Sequence, residues 1–178
     1  MAEALLRHRL SAAGVPAQVR SAGLLESGNP ASASGVDILA GRGLDIQGHR
    51  SATVTAAILG DADLVLGLAR QHVREAVVLV PEVWPRTFTL KELVRRGAAI
   101  GPREEGEPFD AWLARAHMGR TTASLMGVSP DDDVADPIGQ PRPAYQRMVD
   151  ELDDLVERLV GLAWPATGTG IEGYREQA

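Results

Sequence analysis

The sequence predicts an α/β domain in which a doubly wound, mostly parallel sheet lies between two layers of helices. Two continuous apolar runs, at residues 64–68 and 76–80, are typical of strands that are covered on both faces. Helical patterns precede these runs and alternate with a shorter strand pattern. Because parallel strands are joined by long connections that are usually helical, this alternation indicates a three-layer domain.

The first elements are an amphipathic helix and a short strand. Leu6 and Leu10 recur at helical spacing, and Gly14 ends the pattern, which predicts a helix over residues 2–13. Apolar and polar residues then alternate over 17–21, which predicts a strand. Two further helices are predicted before the apolar runs, over residues 34–39 and 53–59.

After Pro81 the pattern predicts helices and no further strand. Thr89 and Glu92 have the spacing of a capping box and predict a short helix through Arg96. Pro108 opens a second helix with an aromatic face. The last and most regular helix begins at Pro143. Its apolar stripe predicts packing against the sheet and consists of Tyr145, Met148, Val149, Leu152, Leu155, Val156 and Leu159.

Composition excludes several classes of protein and of site. The 178 residues suit one domain, predicted at 1–164, followed by a polar, disordered tail at 165–178. A dispersed net charge of −6 argues against nucleic-acid binding. Without a membrane-spanning run or a signal pattern, the expected location is cytoplasmic. The chain has no cysteine and its four histidines lack metal-site spacing, so we expect no metal and no cofactor.

Three motifs follow one another around the predicted strands. They are Val-Arg-Ser-Ala-Gly at 19–23, His-Arg-Ser at 49–51 and Asp-Pro at 136–137. This order resembles the low-molecular-weight protein tyrosine phosphatase family, in its bacterial branch. The resemblance covers residues 1 to about 162 and is most specific at 1–68 and 134–139.

The resemblance also implies a segment before residue 1. In the family, a first, central strand of a four-stranded sheet leads into a Cys-x5-Arg-Ser-Pro phosphate loop, which is followed directly by x-Ala-Glu. Met1 stands at position x of that pattern. We therefore expect the strand and the loop to lie upstream of Met1, and the chain as given to be inactive.

For a complete enzyme, the resemblance implies hydrolysis of phosphomonoesters, phosphotyrosine in proteins above all, through a cysteinyl-phosphate. The partners are then phosphorylated proteins or small phosphomonoesters. The resemblance gives Asp136 the role of general acid, and a carboxylic acid on a loop that Pro137 stiffens can protonate the departing oxygen. Ser21 and His49 correspond to family positions whose side chains support the phosphate loop.

Other interpretations stay open at this point. A pseudophosphatase that acts as a binding module is one alternative, and an arsenate reductase on the same fold is another. Leu24, Leu25 and Ile138 stand where many members carry aromatic residues, which weakens the expectation of phosphotyrosine preference. Three consecutive acids at 131–133 could attract a divalent cation, although a solvated loop is the expected role. The oligomeric state is not predicted.

Overall fold

The computed structural model describes residues 1–25 and 27–166, so most of the predicted tail lies outside the described residues. The helices are α1 (Ala2–Ala12), α2 (Ala33–Ala40), α3 (Ala56–Gly60), α4 (Arg70–Leu79), α5 (Leu90–Ile100), α6 (Phe109–His117) and α7 (Arg142–Ala163). The strands are β1 (Val65–Gly67) and β2 (Thr87–Thr89), and two 3₁₀ helices cover Pro81–Arg86 and Thr122–Leu125.

The two strands are parallel and carry helices on both faces. Val65 pairs with Thr87 and Gly67 with Thr89. Leu66 packs into the main core, which α1, α5 and α7 share, whereas Val65 packs with a smaller cluster that α3 and α4 supply. Because neighbouring side chains of a strand point to opposite faces, the sheet lies between two helical layers. The predicted α/β fold class is confirmed.

The strand predicted at residues 76–80 is wrong, because this segment ends helix α4. Val73 and Ala76 are buried at helical spacing, whereas Val78 is 80% exposed. A short apolar run fits a buried strand and a helix equally well by periodicity. Here the packing of α4 against both strands favours the helix.

The second strand of the sheet escaped the sequence analysis. β2 is only three residues long and contains two threonines, so it lacks the apolar run that identifies a buried strand. All three of its residues are nevertheless fully buried. The predicted strand at residues 17–21 is not formed in the described part of the chain, where the nearest pairing is an isolated bridge between Gly23 and Thr53.

The remaining helices agree with the sequence to within a few residues at their ends. The N–H of Glu92 donates to Thr89 Oγ1 at 3.0 Å, as the capping box predicts for α5. The N–H of Ile58 donates to Thr55 Oγ1 at 3.3 Å, so α3 begins later than predicted. The apolar stripe of α7 is buried and packs mainly against α1, α2 and α5, which places this helix at the centre of the main core.

Candidate functional site

The first turn of α1 joins two of the predicted site residues through one carboxylate. Ser21 donates its hydroxyl to Glu3 Oε2, and Arg7 donates to Glu3 Oε1. His49 Nδ1 lies 3.9 Å from Glu3 Oε2. Arg7 also donates to the carbonyl of Val19 at 3.0 Å, so the helix holds the extended segment before Ser21 by its backbone. Glu3 therefore links α1 to both predicted supporting residues.

The partners of Glu3 keep its carboxyl group ionised. Its side chain is only 16% exposed. Burial by itself raises the pKa of Glu3, but the hydrogen bonds from Ser21 and Arg7 and the charges of Arg7 and His49 outweigh burial and hold the pKa below its ordinary value of 4.5. The sequence analysis gave Glu3 no role. Two signals marked it: it is the acid of the x-Ala-Glu pattern at residues 1–3, and it lies in the first turn of a helix, where negative charge is favourable.

Asp136 lies on the long connection between α6 and α7. It is exposed, and its Oδ1 accepts the N–H of Ile138 at 3.0 Å, which closes a local turn around Pro137. Pro137 itself is buried. Two residues earlier, the N–H of Val134 donates to the carbonyl of Leu68 at 2.8 Å, directly after β1. Asp136 thus stands near the carboxyl end of β1, where open α/β sheets bind ligands.

The prediction of a solvated loop at residues 131–133 is wrong for two of its three acids. Asp132 is 6% exposed and pairs with Arg70 Nη2 at 2.7 Å and with Arg95 Nη1 at 2.8 Å. Asp133 accepts the N–H groups of Arg70 and Ser129 at 2.7 and 2.8 Å. Asp136 lies on the same connection as these acids, and the acids fasten that connection to α4 and α5.

Burial and two arginines act on Asp132 in opposite directions. Burial raises the pKa of the Asp132 carboxyl, whereas hydrogen bonds from Arg95 and Arg70 and their positive charges lower it, and the net pKa lies below the ordinary value of 3.8. The carboxylate therefore stays charged and paired at neutral pH. In the described part of the chain, no group of three or more His, Asp and Glu side chains is arranged to hold a metal ion.

A fully buried ion pair supports the other end of the same connection. Arg120 donates from Nε to Glu92 Oε1 at 2.8 Å and from Nη2 to Glu92 Oε2 at 2.9 Å. Its guanidinium lies 3.8 Å from the ring centroid of Trp84 and 4.0 Å from that of Phe88. Its side chain is 0% exposed. The sequence carried no signal for this pair, because its members are 28 residues apart.

The structure brings the predicted residues together only in part. Ser21 and His49 share the carboxylate of Glu3, whereas no hydrogen bond or ion pair within residues 1–25 and 27–166 connects Asp136 to that cluster. Over the same residues, no helix is long and apolar enough to cross a membrane. The arrangement consists of a carboxyl group near the end of β1 and a separate polar cluster at the start of α1.

Comparisons with known proteins identify the family of this chain. Residues 1–102 match the family described as low molecular weight phosphotyrosine protein phosphatase. The chain is 37% identical over 119 residues to the probable low molecular weight protein-tyrosine-phosphatase EpsP of Ralstonia solanacearum, covering 67% of this chain and 80% of that protein. It is 29% identical over 160 residues to the protein-arginine-phosphatase of Geobacillus stearothermophilus, covering 89% of this chain and 83% of that protein.

The fold points to the same family. The crystal structure of the low molecular weight protein tyrosine phosphatase from T. tengcongensis aligns with a TM-score of 0.66 at 29% identity, covering 89% of this chain and 86% of that one. The family match at residues 1–102 includes the whole Glu3 cluster. The resemblance seen in the sequence is confirmed, and the chain belongs to the low molecular weight phosphotyrosine protein phosphatase family.

Proposed function

We propose that this protein hydrolyses phosphomonoesters on protein side chains through a cysteinyl-phosphate, with Asp136 as the general acid. The family acts on phosphorylated proteins or phosphomonoesters. The observation that carries the proposal is the Asp136–Pro137 turn, which is hydrogen-bonded through Val134 to the carboxyl end of β1. That mechanism needs a cysteine nucleophile, and positions 1–178 contain none, so the proposal concerns a form of the protein that carries a Cys-x5-Arg loop before α1.

The chemistry needs an acid that can approach the leaving group. Asp136 is exposed, and only its Oδ1 has a hydrogen-bond partner within the described residues. Oδ2 is then free to carry a proton to the departing oxygen. A buried Pro137 next to it limits the motion of the turn, which holds the acid near one position.

The Glu3 cluster fits a supporting role beneath a phosphate loop. In this proposal, the side chains of Ser21 and His49 support a loop that precedes α1, and the carboxylate of Glu3 orients both side chains. The start of α1 adds the partial positive charge of a helix N-terminus, which stabilises a phosphate and a thiolate placed there. Charged oxygens of the transferred group are stabilised by such fixed dipoles without reorganisation.

The substrate is phosphotyrosine in proteins. The second candidate is phosphoarginine, which is not an ester: its P–N bond breaks, and the acid would protonate the departing nitrogen. Relatives of this chain carry both names, a protein-tyrosine-phosphatase and a protein-arginine-phosphatase. Two exposed aliphatic side chains support phosphoarginine as a candidate. Leu25 is 80% exposed, and Ile138, directly after Pro137, is 74% exposed. Neither offers the flat ring that stacks on an aryl ester. Turnover of an aryl phosphate ester and of a phosphoarginine peptide, measured side by side, separates the two.

The role of Asp136 can be tested with Asp136→Asn in a form of the protein that carries a Cys-x5-Arg loop before α1. Turnover of an ester with a poor leaving group should fall by about 10² to 10⁴, the usual contribution of general acid catalysis. Esters with good leaving groups need less protonation and should lose less. Steady-state kinetics on a series of aryl esters measure this difference. Equal, full rates for both leaving-group classes would remove Asp136 from the mechanism.

The 178-residue chain itself provides a second test of the same proposal. Because it contains no thiol, it should not turn over any of these esters above a buffer blank. Turnover by this chain would overturn the cysteine mechanism. Saturable binding of a phosphopeptide by this chain, together with the lack of a cysteine-bearing reading frame upstream, would instead favour the pseudophosphatase.

A further inference from the structure

We propose that Arg70 is a positioning residue for Asp136, because it fastens the connection between α6 and α7 to the start of α4. The part of the proposal that concerns catalysis rests on the role of Asp136 proposed above. The connection spans residues 118–141 and contains only one short 3₁₀ helix, Thr122–Leu125. A segment of this length without regular structure needs side-chain contacts to hold one conformation.

Arg70 contacts this connection at three points. Its Nε and Nη2 lie 2.8 and 2.7 Å from Asp132 Oδ2. Its backbone N–H donates to Asp133 Oδ1 at 2.7 Å, and its Nη1 donates to the carbonyl of Met126 at 3.2 Å. One residue therefore holds the connection at Met126, before the turn at residues 129–133, and at two acids within that turn. The next hydrogen bond along the chain joins Val134 to Leu68, two residues before Asp136.

The contacts that it makes distinguish Arg70 from the other cations that contact the connection. Its side chain is 21% exposed and the side chain of its partner Asp132 is 8% exposed. The Lys91 side chain is similarly buried, at 17%, whereas that of Arg95 is 54% exposed. Lys91 and Arg74 donate only to backbone carbonyls there, of Pro130 and of Leu125 and Gly127. Among the described residues, only Arg70 combines an ion pair through two guanidinium nitrogens, a backbone donor and a carbonyl contact. A guanidinium fork fixes direction as well as distance, which a point charge does not.

Amide hydrogen exchange in the 178-residue chain tests the positioning role without any catalysis. Arg70→Gln should raise exchange at Val134 and Ile138 by about tenfold or more, since a charged hydrogen bond that restrains the segment is lost. Arg70→Lys should give an intermediate increase. Arg42→Gln is the matched control, because Arg42 is 24% exposed and pairs with Asp150 and Asp153 on α7. Arg42→Gln should leave the exchange rates of these two amides unchanged.

Unchanged exchange at Val134 and Ile138 in Arg70→Gln would overturn the proposal, whatever the activity of any variant. Equal increases in Arg70→Gln and Arg42→Gln would also overturn it, because they would reveal only a general loss of stability. If Arg70→Gln fails to fold, exchange at the same two amides can be compared between Asp132→Asn and Arg42→Gln. Asp132→Asn removes the charge with which Arg70 pairs and leaves Arg70 in place.

Kinetics on the cysteine-bearing form test the consequence for catalysis. Arg70→Gln should lower kcat for poor leaving groups by about tenfold to 10², because a small displacement of an acid has that effect. Arg70→Gln combined with Asp136→Asn should be no slower than Asp136→Asn alone. Additive losses would mean that Arg70 does not act through Asp136. A full rate in Asp136→Asn would instead refute the proposed acid and leave the exchange result standing.

Discussion

At the scale of single residues, a few buried charges hold the irregular parts of this fold to its helices. Glu3 gathers Ser21, Arg7 and His49 at the start of α1. Asp132 gathers Arg70 and Arg95 at the connection that carries Asp136. Removing the arginines from such a carboxylate costs more than the pair contributes, because the carboxylate stays largely buried without a partner. The predicted site residues therefore depend on partners far away in sequence.

Glu3→Gln should lower the free energy of unfolding at pH 7 by about 1 to 3 kcal/mol, because a charged acceptor of hydrogen bonds from Ser21 and Arg7 is replaced by a neutral one. The pKa of Glu3 is lowered in the fold, so its contribution is present above its ordinary value of 4.5 and is lost as the pH falls. Urea denaturation at pH 7 and at pH 3 should show a smaller difference between the two proteins at pH 3 than at pH 7.

Asp154→Asn is the control for Glu3→Gln. Asp154 also pairs with an arginine, Arg158, but at 3.5 Å and with its side chain 66% exposed. Exposed pairs of this kind contribute little, so the change should stay within about 0.5 kcal/mol. Equal effects of the two substitutions would mean that the Glu3 cluster has no structural importance beyond that of a surface pair.

At the scale of elements, one glycine sets how closely three helices meet. Gly97 lies on α5 and is buried against α6 and α7. A Cβ at this position would lie 2.9 Å from Trp112 Cζ2 and 3.2 Å from Leu162 Cδ1. The indole ring is itself fully buried and donates from Nε1 to the carbonyl of Gly101 at 3.1 Å, so it cannot move aside freely.

Gly97→Ala should therefore destabilise the protein by about 1 to 3 kcal/mol, the usual cost of overpacking, despite the better helix propensity of alanine. Gly161→Ala is the matched control on α7, because a Cβ there meets nothing within 4 Å. It should stabilise the protein by about 0.5 to 1 kcal/mol. Thermal unfolding of both variants measures the two signs. A stabilising Gly97→Ala would show that the three helices are less closely packed than described.

At the scale of the whole molecule, stability should respond to pH in two separate ranges. His117 Nδ1 lies 3.0 Å from Arg120 Nη1, and a guanidinium only donates, so the imidazole accepts and is neutral. Burial, followed by the positive charges of Arg120 and Arg96, lowers the pKa of His117 below its ordinary value of 6.5, while Glu92 acts in the opposite direction. Glu3 and Asp132 titrate well below this range.

The free energy of unfolding should accordingly begin to fall as the pH drops below about 6.5, because the unfolded chain then binds a proton at His117 that the folded chain resists. A second, steeper decrease should follow as the pH falls through the range of the carboxyl groups. His117→Gln keeps an acceptor for Arg120 but cannot titrate, and it should remove the first decrease alone. A decrease that persists in His117→Gln would assign that range to another group.

Local patterns in the sequence were sufficient for most helices and for one strand. The buried stripe of α7, the cap at Thr89 and the apolar run of β1 depend on neighbours within a few residues, and these predictions agree with the structure. The partner predicted for the stripe, the sheet, does not agree, because α7 packs mainly against α1, α2 and α5. Motif order was also sufficient for the family, because residues 19–23, 49–51 and 136–137 keep their spacing whatever the packing around them.

The sequence by itself thus determined the fold class, the family and the candidate residues Ser21, His49 and Asp136. Only the tertiary structure decided that residues 76–80 end a helix and that Thr87–Thr89 form a strand, because burial against distant elements sets both outcomes. The same holds for Arg70 with Asp132 and for Arg120 with Glu92, which lie 62 and 28 residues apart. Local patterns cannot predict such pairs, since distant elements bury both charges, and only the attraction between the two charges offsets the cost of removing them from water.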